Sequence, residues 1–258
     1  MIHWRIISRR LRGGGALVKL IHIEFLKLRR RKLVWLMLSA ALFMPVLGVF
    51  YFTDMGKVIE TMTFYKWAAF SYTQWIILPV VLGILCTMLM YEENRNDTLT
   101  QLWIVPISKL KLFISKFAII LIYSLCFTVI TAIISLLCAV SIGCAEFTLD
   151  SNLFLLGKCL EIGILTALSM LPILAVATAG KGYILPICAA LIYAFLGFIL
   201  LMINMYLHPL SSMSAIVSRD IPGVVLNQAP HIPAAFLCIA LWGVASVIFA
   251  NTVLKARK

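Results

Sequence analysis

The sequence predicts an all-α integral membrane protein with six transmembrane helices, and three observations support this fold class. Hydrophobic residues make up 63% of the 258 positions, and the mean hydropathy is +1.05. Soluble domains contain only about 45–50% apolar residues. Apolar runs of about twenty residues, long enough to cross a bilayer, recur along the chain. The segments between them are short and carry most of the charge, so we expect a single membrane domain over residues 33–254.

The apolar runs define the predicted spans. They lie at residues 33–52, 69–90, 117–142, 154–179, 183–206 and 234–254. The first run is too long for the apolar part of a signal peptide and has the right length for a span. Residues 207–233 contain four prolines and are predicted to form re-entrant or interfacial structure at the outer face. Such backbone is tolerated at membrane depth only where protein or water covers its polar groups.

A basic segment, residues 1–32, precedes the first span. Its apolar residues recur at helical spacing, at Leu17, Leu20, Ile21, Phe25 and Leu28. This pattern predicts an amphipathic helix that lies on the inner membrane surface. Residues 1–16 contain three consecutive glycines, and we interpret them either as a flexible extension or as sequence upstream of a natural start near Val18.

Charge predicts the orientation. The net charge is +12, and 10 of the 22 Lys and Arg residues lie within the first 32 positions. With both termini inside, 18 basic residues face the cytoplasm and 4 face outside, as the positive-inside rule requires. The predicted topology is therefore N-in and C-in, with residues 255–258 as a basic cytoplasmic tail. The positive charge suits anionic membrane lipid rather than nucleic acid, because no soluble body is present to hold a nucleic-acid site.

The sequence lacks the motifs of common enzymes. It has no phosphate-binding loop and neither H-E-x-x-H nor G-x-S-x-G, so we predict no catalytic, cofactor-binding or metal-binding residues in this chain. Glu92 and Glu93 begin a pattern like E-E-x-x-x-R of intramembrane proteases, but Asp97 occupies the arginine position. The seven cysteines form no C-x-x-C pair and are interpreted as small packing residues.

Few ionisable residues lie inside the predicted spans, which argues against ion-coupled transport. Lys158 and Glu161 are three residues apart and can pair on one helix face. They are either a structural pair at the headgroup boundary or part of a substrate path. Asn204, at the end of the fifth span, either marks the membrane interface or meets the substrate.

The segment after the second span is the most informative. It contains an acid, Glu92 or Glu93, then Thr98-Leu99, then Pro106-Ile107-Ser108, and finally Lys116. This order resembles the permease subunits of type-2 ABC exporters. The size and the amino-terminal pattern are most similar to the subgroup that provides lantibiotic immunity and bacitracin resistance.

The resemblance implies a function and a set of partners. In such exporters the segment between spans two and three forms a cytoplasmic coupling helix, which sits in a groove of an ABC ATPase dimer. The ATPase carries the ATP and Mg, and a second permease subunit, the same or different, completes the assembly. The cargo would be an antimicrobial peptide removed from a bacterial plasma membrane.

The resemblance also implies roles for individual residues in that segment. The polar contacts to the ATPase would come from Glu92, Glu93, Arg95 and Asp97. The apolar anchors would be Leu99, Leu102 and Trp103.

Two alternatives remain open on the sequence. The segment after span two could be an interfacial helix that only lies on lipid. The chain as a whole could be an ATP-independent channel or an assembly factor, or, less in keeping with Asp97, an intramembrane protease.

Overall fold

The computed structural model describes residues 15–54, 59–95, 109–144, 147–180, 182–224 and 230–256, and within these ranges it contains helices and turns but no strand. Six helical segments are long and apolar enough to cross a bilayer. We number them spans one to six: Lys32–Thr53, Thr61–Glu93, Leu110–Ile142, Leu149–Ala179, Ile184–Ile203 and Ile232–Lys255. The predicted all-α fold with six spans is confirmed.

A helix at Gly15–Arg29 precedes span one and ends just before it. Among the described side chains of this helix Glu24 and Leu28 are buried, while Phe25 is exposed. The face of this helix that packs on the protein therefore includes the acid Glu24 as well as Leu28, one of the predicted apolar residues. Whether the opposite face lies on lipid stays a prediction.

Span one is interrupted near Pro45. It consists of an α-helix at Lys32–Ser39, a 3-10 turn at Ala40–Leu42 and a second α-helix at Phe43–Asp54. Proline has no N–H to donate, and its ring crowds the carbonyl four residues earlier. The 3-10 turn contains that earlier residue, which explains the interruption.

Span two is the least regular helix. It begins at Thr61 rather than near Ala69, and its first part is an α-helical turn, Thr61–Tyr65, followed by two π-helical segments, Lys66–Phe70 and Thr73–Ile77. Between them Ser71 leaves the helical region, with φ −85° and ψ −102°. A regular α-helix follows over Leu78–Arg95. The early start is explained by Phe64 and Tyr65, which are fully buried and anchor this first turn.

Spans three to six are longer and more regular. Their helices are Lys109–Ile142 for span three, Leu149–Ser169 and Leu171–Ala179 for span four, Ile184–Ile203 for span five and Ile232–Ala256 for span six. Spans three and four begin earlier than predicted. At the start of span four the Thr148 side chain accepts a hydrogen bond from the backbone N–H of Ser151, so a polar N-cap lies before the apolar run.

Spans two and four form the centre of the bundle. In their most apolar stretches 72% and 78% of residues are buried, compared with 28% in span five and 22% in span six. Spans five and six therefore present apolar faces that lipid or another subunit can cover.

A short helix, Pro209–Ser218, lies between spans five and six, and all ten of its residues are buried. The Ser169 hydroxyl donates a hydrogen bond to the carbonyl oxygen of Pro209, the first residue of this helix, at 3.1 Å. Its other end approaches Lys158, whose Nζ lies 3.3 Å from the carbonyl oxygen of Val217. The chain therefore turns back into the bundle after span five and runs alongside span four. We call Pro209–Ser218 the buried helix.

Contacts at the two ends of the bundle fix the alternation of the spans. At one end Tyr91 of span two packs edge-on against Tyr183 before span five, with ring centroids 5.2 Å apart. At the other end the Tyr65 hydroxyl donates to the Asn152 side chain at 2.7 Å. Successive spans thus run in opposite directions, as the topology requires. The assignment of the Tyr91 end to the cytoplasm stays a prediction.

Close packing at one glycine makes a stability prediction. A Cβ atom at Gly83 would lie 2.5 Å from the Cβ of Ala190 in span five, whereas a Cβ at Gly157 would meet nothing within 4 Å. We expect Gly83→Ala to lower the free energy of unfolding by about 1–3 kcal/mol through overpacking. The matched Gly157→Ala change should be neutral or slightly stabilising, since alanine favours the helix. Thermal unfolding in detergent measures both variants, and equal effects would contradict the packing argument.

Candidate functional site

Four charged side chains meet at the Tyr91 end of the bundle, and we call them the Glu24 cluster: Glu24, Lys27, Glu93 and Lys116. The ammonium of Lys116 donates to Glu24 Oε2 and to Glu93 Oε1, the latter at 2.8 Å. The ammonium of Lys27 lies 3.0 Å from Glu24 Oε1 and 3.2 Å from Glu93 Oε1. Two carboxylates and two ammonium groups thus alternate, and the cluster carries no net charge.

Burial makes this cluster energetically demanding. The Lys116 side chain is 1% exposed, and those of Glu24 and Glu93 are 4% and 3% exposed. A buried charge is stable only when opposite charges and hydrogen bonds replace its water. Burial opposes the charged form of Lys27 as well, but the carboxylates of Glu93 and Glu24 outweigh it and raise the pKa of Lys27. All four members therefore depend on one another.

The cluster joins three parts of the chain. Glu24 belongs to the helix before span one, Glu93 to the last turns of span two, and Lys116 to the first turns of span three. A second ion pair, Arg31 to Glu92 at 3.1 Å, links the start of span one to the end of span two. The end of span two and the start of span three, which flank residues 96–108, are thus held together.

The predicted coupling residues fall into three groups. Glu92 is partly exposed and paired, and Glu93 is buried in the cluster. Arg95 is the last residue of the span-two helix. The others lie outside the described residues: Asp97, Leu99, Leu102 and Trp103.

Glu24 and Lys116 were absent from the predicted site residues. Glu24 had a visible signal, since it is the only acid among the first 32 residues and lies on the helix face of Ile21 and Leu28. Lys116 is a basic residue just inside an apolar span, which is itself a signal of a buried partner. Sequence alone could not show that the two meet, because they are 92 positions apart.

A second cluster lies at the opposite end of the bundle, and we call it the Lys158 cluster: Lys158, Glu161, Arg219 and Asp220. Lys158 Nζ is 2.7 Å from Glu161 Oε2 and 3.2 Å from Asp220 Oδ2. Arg219 bridges the same two acids, at 3.3 and 2.8 Å. The expected pairing of Lys158 with Glu161 is present. The sequence did not reveal that Arg219 and Asp220, just after the buried helix, complete the group.

Asn204 has a local role in the structure. It ends the span-five helix, and its side-chain oxygen accepts a hydrogen bond from the backbone N–H of Tyr206 at 3.0 Å. This described side-chain hydrogen bond does not involve a member of the Lys158 cluster. The three predicted substrate-path residues therefore do not form one group among the described contacts.

The described residues contain no group of His, Cys, Asp and Glu side chains arranged to hold a metal ion. The two clusters consist of paired charges whose acids and bases neutralise each other. Their chemistry suits the mechanical linkage of helices, because several of the ion pairs, such as Lys116 with Glu24 and Lys158 with Asp220, join elements that are distant in sequence.

A six-span helical bundle with charge clusters at both ends has the architecture of a multi-pass membrane protein. Residues 20–197 match the family described as ABC-2 family transporter protein. The match covers more than half of the chain, so the chain belongs to this family. Members of this family are membrane subunits of ABC transporters that normally lack ATPase activity, and a partner ATPase supplies it. No curated protein and no solved structure matches the chain.

Removing the central cation of the Glu24 cluster tests its structural role. In Lys116→Met two buried carboxylates lose a shared partner, so we expect the free energy of unfolding to fall by about 3–5 kcal/mol. The control Lys255→Met, at an exposed lysine, should change it little. Thermal unfolding of the detergent-purified chain gives both values. Adding Glu24→Gln to Lys116→Met should recover part of the loss, and a purely additive result would argue against direct coupling.

The Lys158 cluster predicts a dependence on acid pH. Burial works against the Asp220 charge, but hydrogen bonds from Lys158 and Arg219 outweigh it and hold the pKa of Asp220 below its ordinary value of 3.8. The ionised carboxylate therefore contributes stability above pH 3.8, and this contribution is lost as the pH falls through the lowered pKa. We expect Asp220→Asn to have a lower melting temperature than the wild type at pH 7, with the two converging in acid. A constant difference at every pH would refute the ion-pair explanation.

Proposed function

We propose that this chain is the permease subunit of an ATP-driven exporter that removes an antimicrobial peptide, of lantibiotic or bacitracin type, from the bacterial plasma membrane. It works with a cytoplasmic ATPase dimer and a second permease subunit. The observation that carries the proposal is the Glu24 cluster, which joins the two helix ends that flank residues 96–108 in a chain of the ABC-2 family.

The cluster supports a coupling role for the segment between spans two and three. A force on residues 96–108 acts on the ends of both spans, since Glu93 and Lys116 are bonded to each other. It also acts on the helix before span one, because Glu24 shares the same lysine. Closure of the ATPase dimer against this segment would therefore move three helices together rather than bend a loop.

The two acids at the end of span two have different roles in this proposal. Glu93 is buried, and it positions the segment through Lys27 and Lys116. Glu92 is 23% exposed and pairs with Arg31, which is 53% exposed. Glu92 is therefore the better placed of the two to exchange its partner for a basic group on the ATPase. We place Asp97 and the apolar residues Leu99, Leu102 and Trp103 on the docking surface that follows.

The proposed cargo rests on chemistry and on resemblance. Spans five and six expose broad apolar faces along which a membrane-lodged molecule could move. The size and amino-terminal pattern resemble the subgroup that removes antimicrobial peptides. An ATP-independent channel remains the second candidate, and the partner distinguishes the two.

Capture of the partner and a charge reversal test the proposal. Tagged permease purified in mild detergent should bring down a P-loop ATPase, and the complex in nanodiscs should hydrolyse ATP faster when bacitracin or a lantibiotic is added. In Glu92→Lys we expect this stimulation to fall at least several-fold while membrane insertion is unchanged. The control Glu60→Lys reverses an exposed acid at the opposite end of span two and should leave the stimulation intact. A purified chain with no ATPase bound would contradict the exporter proposal.

A further inference from the structure

We propose that the interrupted part of span two, Lys66–Ile77, is a binding site for the backbone amide of an apolar peptide, with Gln74 as the residue that recognises the amide. The inference rests on the proposed function in taking a peptide as the cargo. It adds where the peptide binds and by which chemical group.

The first observation is the broken backbone. Two π-helical segments flank Ser71, whose ψ of −102° ends the regular hydrogen-bond ladder. The Ser71 and Thr73 hydroxyls donate to the carbonyls of Lys66 and Ala68, at 2.8 and 3.2 Å, and so satisfy part of the opened helix. Irregular backbone within a span is costly unless protein or a bound polar group covers it, and π-helical turns are frequent at functional sites.

The second observation is Gln74. Its side chain is 0% exposed, and neither its Nε2 nor its Oε1 has a hydrogen-bond partner among the described residues. A buried amide without partners destabilises the fold, because it has lost its water and gained nothing in return. Such a group is retained where a ligand supplies the missing bonds. A side-chain amide that offers one donor and one acceptor is complementary to another amide, such as a peptide bond.

The third observation is a row of aromatic rings along the interrupted segment, which ends at Trp75, the residue after Gln74. Tyr51 of span one stacks on Trp67 with centroids 5.0 Å apart, Trp67 contacts Tyr72 at 5.9 Å, and Tyr72 contacts Trp75 at 6.4 Å. Tyr51 and Tyr72 are 46% and 44% exposed. The row thus runs from the surface of the bundle to the residue beside Gln74 and offers stacking surfaces to apolar side chains.

Trp75 adds a second polar group to the site. Its Nε1 is buried and has no hydrogen-bond partner among the described residues, so it is a further free donor. Its ring packs against Phe198 of span five, with centroids 5.7 Å apart. This contact joins the interrupted segment to span five, so a ligand that binds at Trp75 would be linked to the distance between spans two and five.

The neighbouring helices support the same position. A Cβ on Gly197, next to Phe198, would lie 3.2 Å from His208 Nδ1, so the start of the buried helix borders this region. His208 Nε2 is likewise buried without a partner in the described chain.

Gln74 lies nineteen residues before Glu93, which corresponds to about 28 Å along a helix. The site is therefore almost a full bilayer thickness away from the Glu24 cluster.

The unpartnered groups are neutral, and this selects the ligand class. An ion would need charged partners, whereas Gln74 and Trp75 offer only neutral polar groups and the rings that contact Trp75 are uncharged. A neutral amide within an apolar body satisfies Gln74 and stacks on the rings. This description fits a membrane-lodged peptide better than a lipid phosphate.

The test compares stability with binding in the full chain, purified without any ATPase and placed in nanodiscs. The probe is the radiolabelled capped peptide acetyl-Leu-Phe-Leu-amide, with empty nanodiscs as background. A second probe replaces its central amide with an ester. Gln74→Met keeps the shape of the side chain and removes both polar atoms, and Trp75→Phe keeps a ring and removes the N–H.

We expect Gln74→Met to weaken binding of the amide probe about tenfold and to raise the melting temperature by about 2–4 °C. Trp75→Phe should weaken binding by a smaller factor. The wild type should prefer the amide probe to the ester, and Gln74→Met should lose most of this preference. The control Ser135→Ala removes a buried hydroxyl that, like the Gln74 amide, has no partner in the described chain. This variant should leave binding unchanged.

Three results would overturn the inference. The first is the absence of saturable binding by the wild type, and the second is unchanged binding in Gln74→Met. The third is a lower melting temperature in Gln74→Met, because this would mean that Gln74 already has a structural partner such as a buried water. The exporter proposal fails separately. A chain that binds the probe but captures no ATPase keeps this site and loses the exporter role, whereas one that captures the ATPase without binding the probe does the reverse.

Discussion

The burial of Lys116 is the constraint on which one end of the bundle depends. A lysine side chain that is 1% exposed must have its charge balanced within hydrogen-bonding distance, and two separate helices provide the balancing carboxylates. This requirement places the helix before span one against the ends of spans two and three. It thereby fixes the end of span two against the start of span three, so the relative position of these three helices follows from the neutralisation of one buried charge.

The same physical rule operates at the opposite end. Lys158 is also buried, and Glu161 and Asp220 balance it while Arg219 bridges the two acids. Because Arg219 and Asp220 follow the buried helix, this cluster holds the returning chain against span four. Charge thus fixes the two ends, and close packing, as at Gly83 against Ala190, fixes the middle.

The parts of this fold that the sequence predicted are those that the bilayer dictates. Each span needs about twenty apolar residues, and these runs are visible without any partner. The starts of spans two, three and four were less predictable, because buried aromatic rings such as Phe64 and a polar cap at Thr148 extend the helices beyond the apolar runs. The charge clusters depend on contacts across as many as 92 positions, which hydropathy does not encode. Gln74 was overlooked because a lone amide in an apolar run has no sequence pattern that separates a bound ligand from ordinary packing.

Span two connects the two sites that the structure defines. Its regular helix, Leu78–Arg95, ends in the Glu24 cluster and begins directly after the π-helical segment that contains Gln74. An α-helix of this length is a rigid element, so a displacement of Glu93 is carried along the axis to Ile77 rather than absorbed within it. The irregular segment is the place where this displacement can be taken up, because its hydrogen-bond ladder is already open at Ser71. In the exporter that we propose, a movement imposed on Glu93 by the ATPase would change the geometry around Gln74 and Trp75, where the proposed peptide site lies. In that proposal the irregular half of span two is the adjustable element of an energy-driven permease, and the regular half transmits the force.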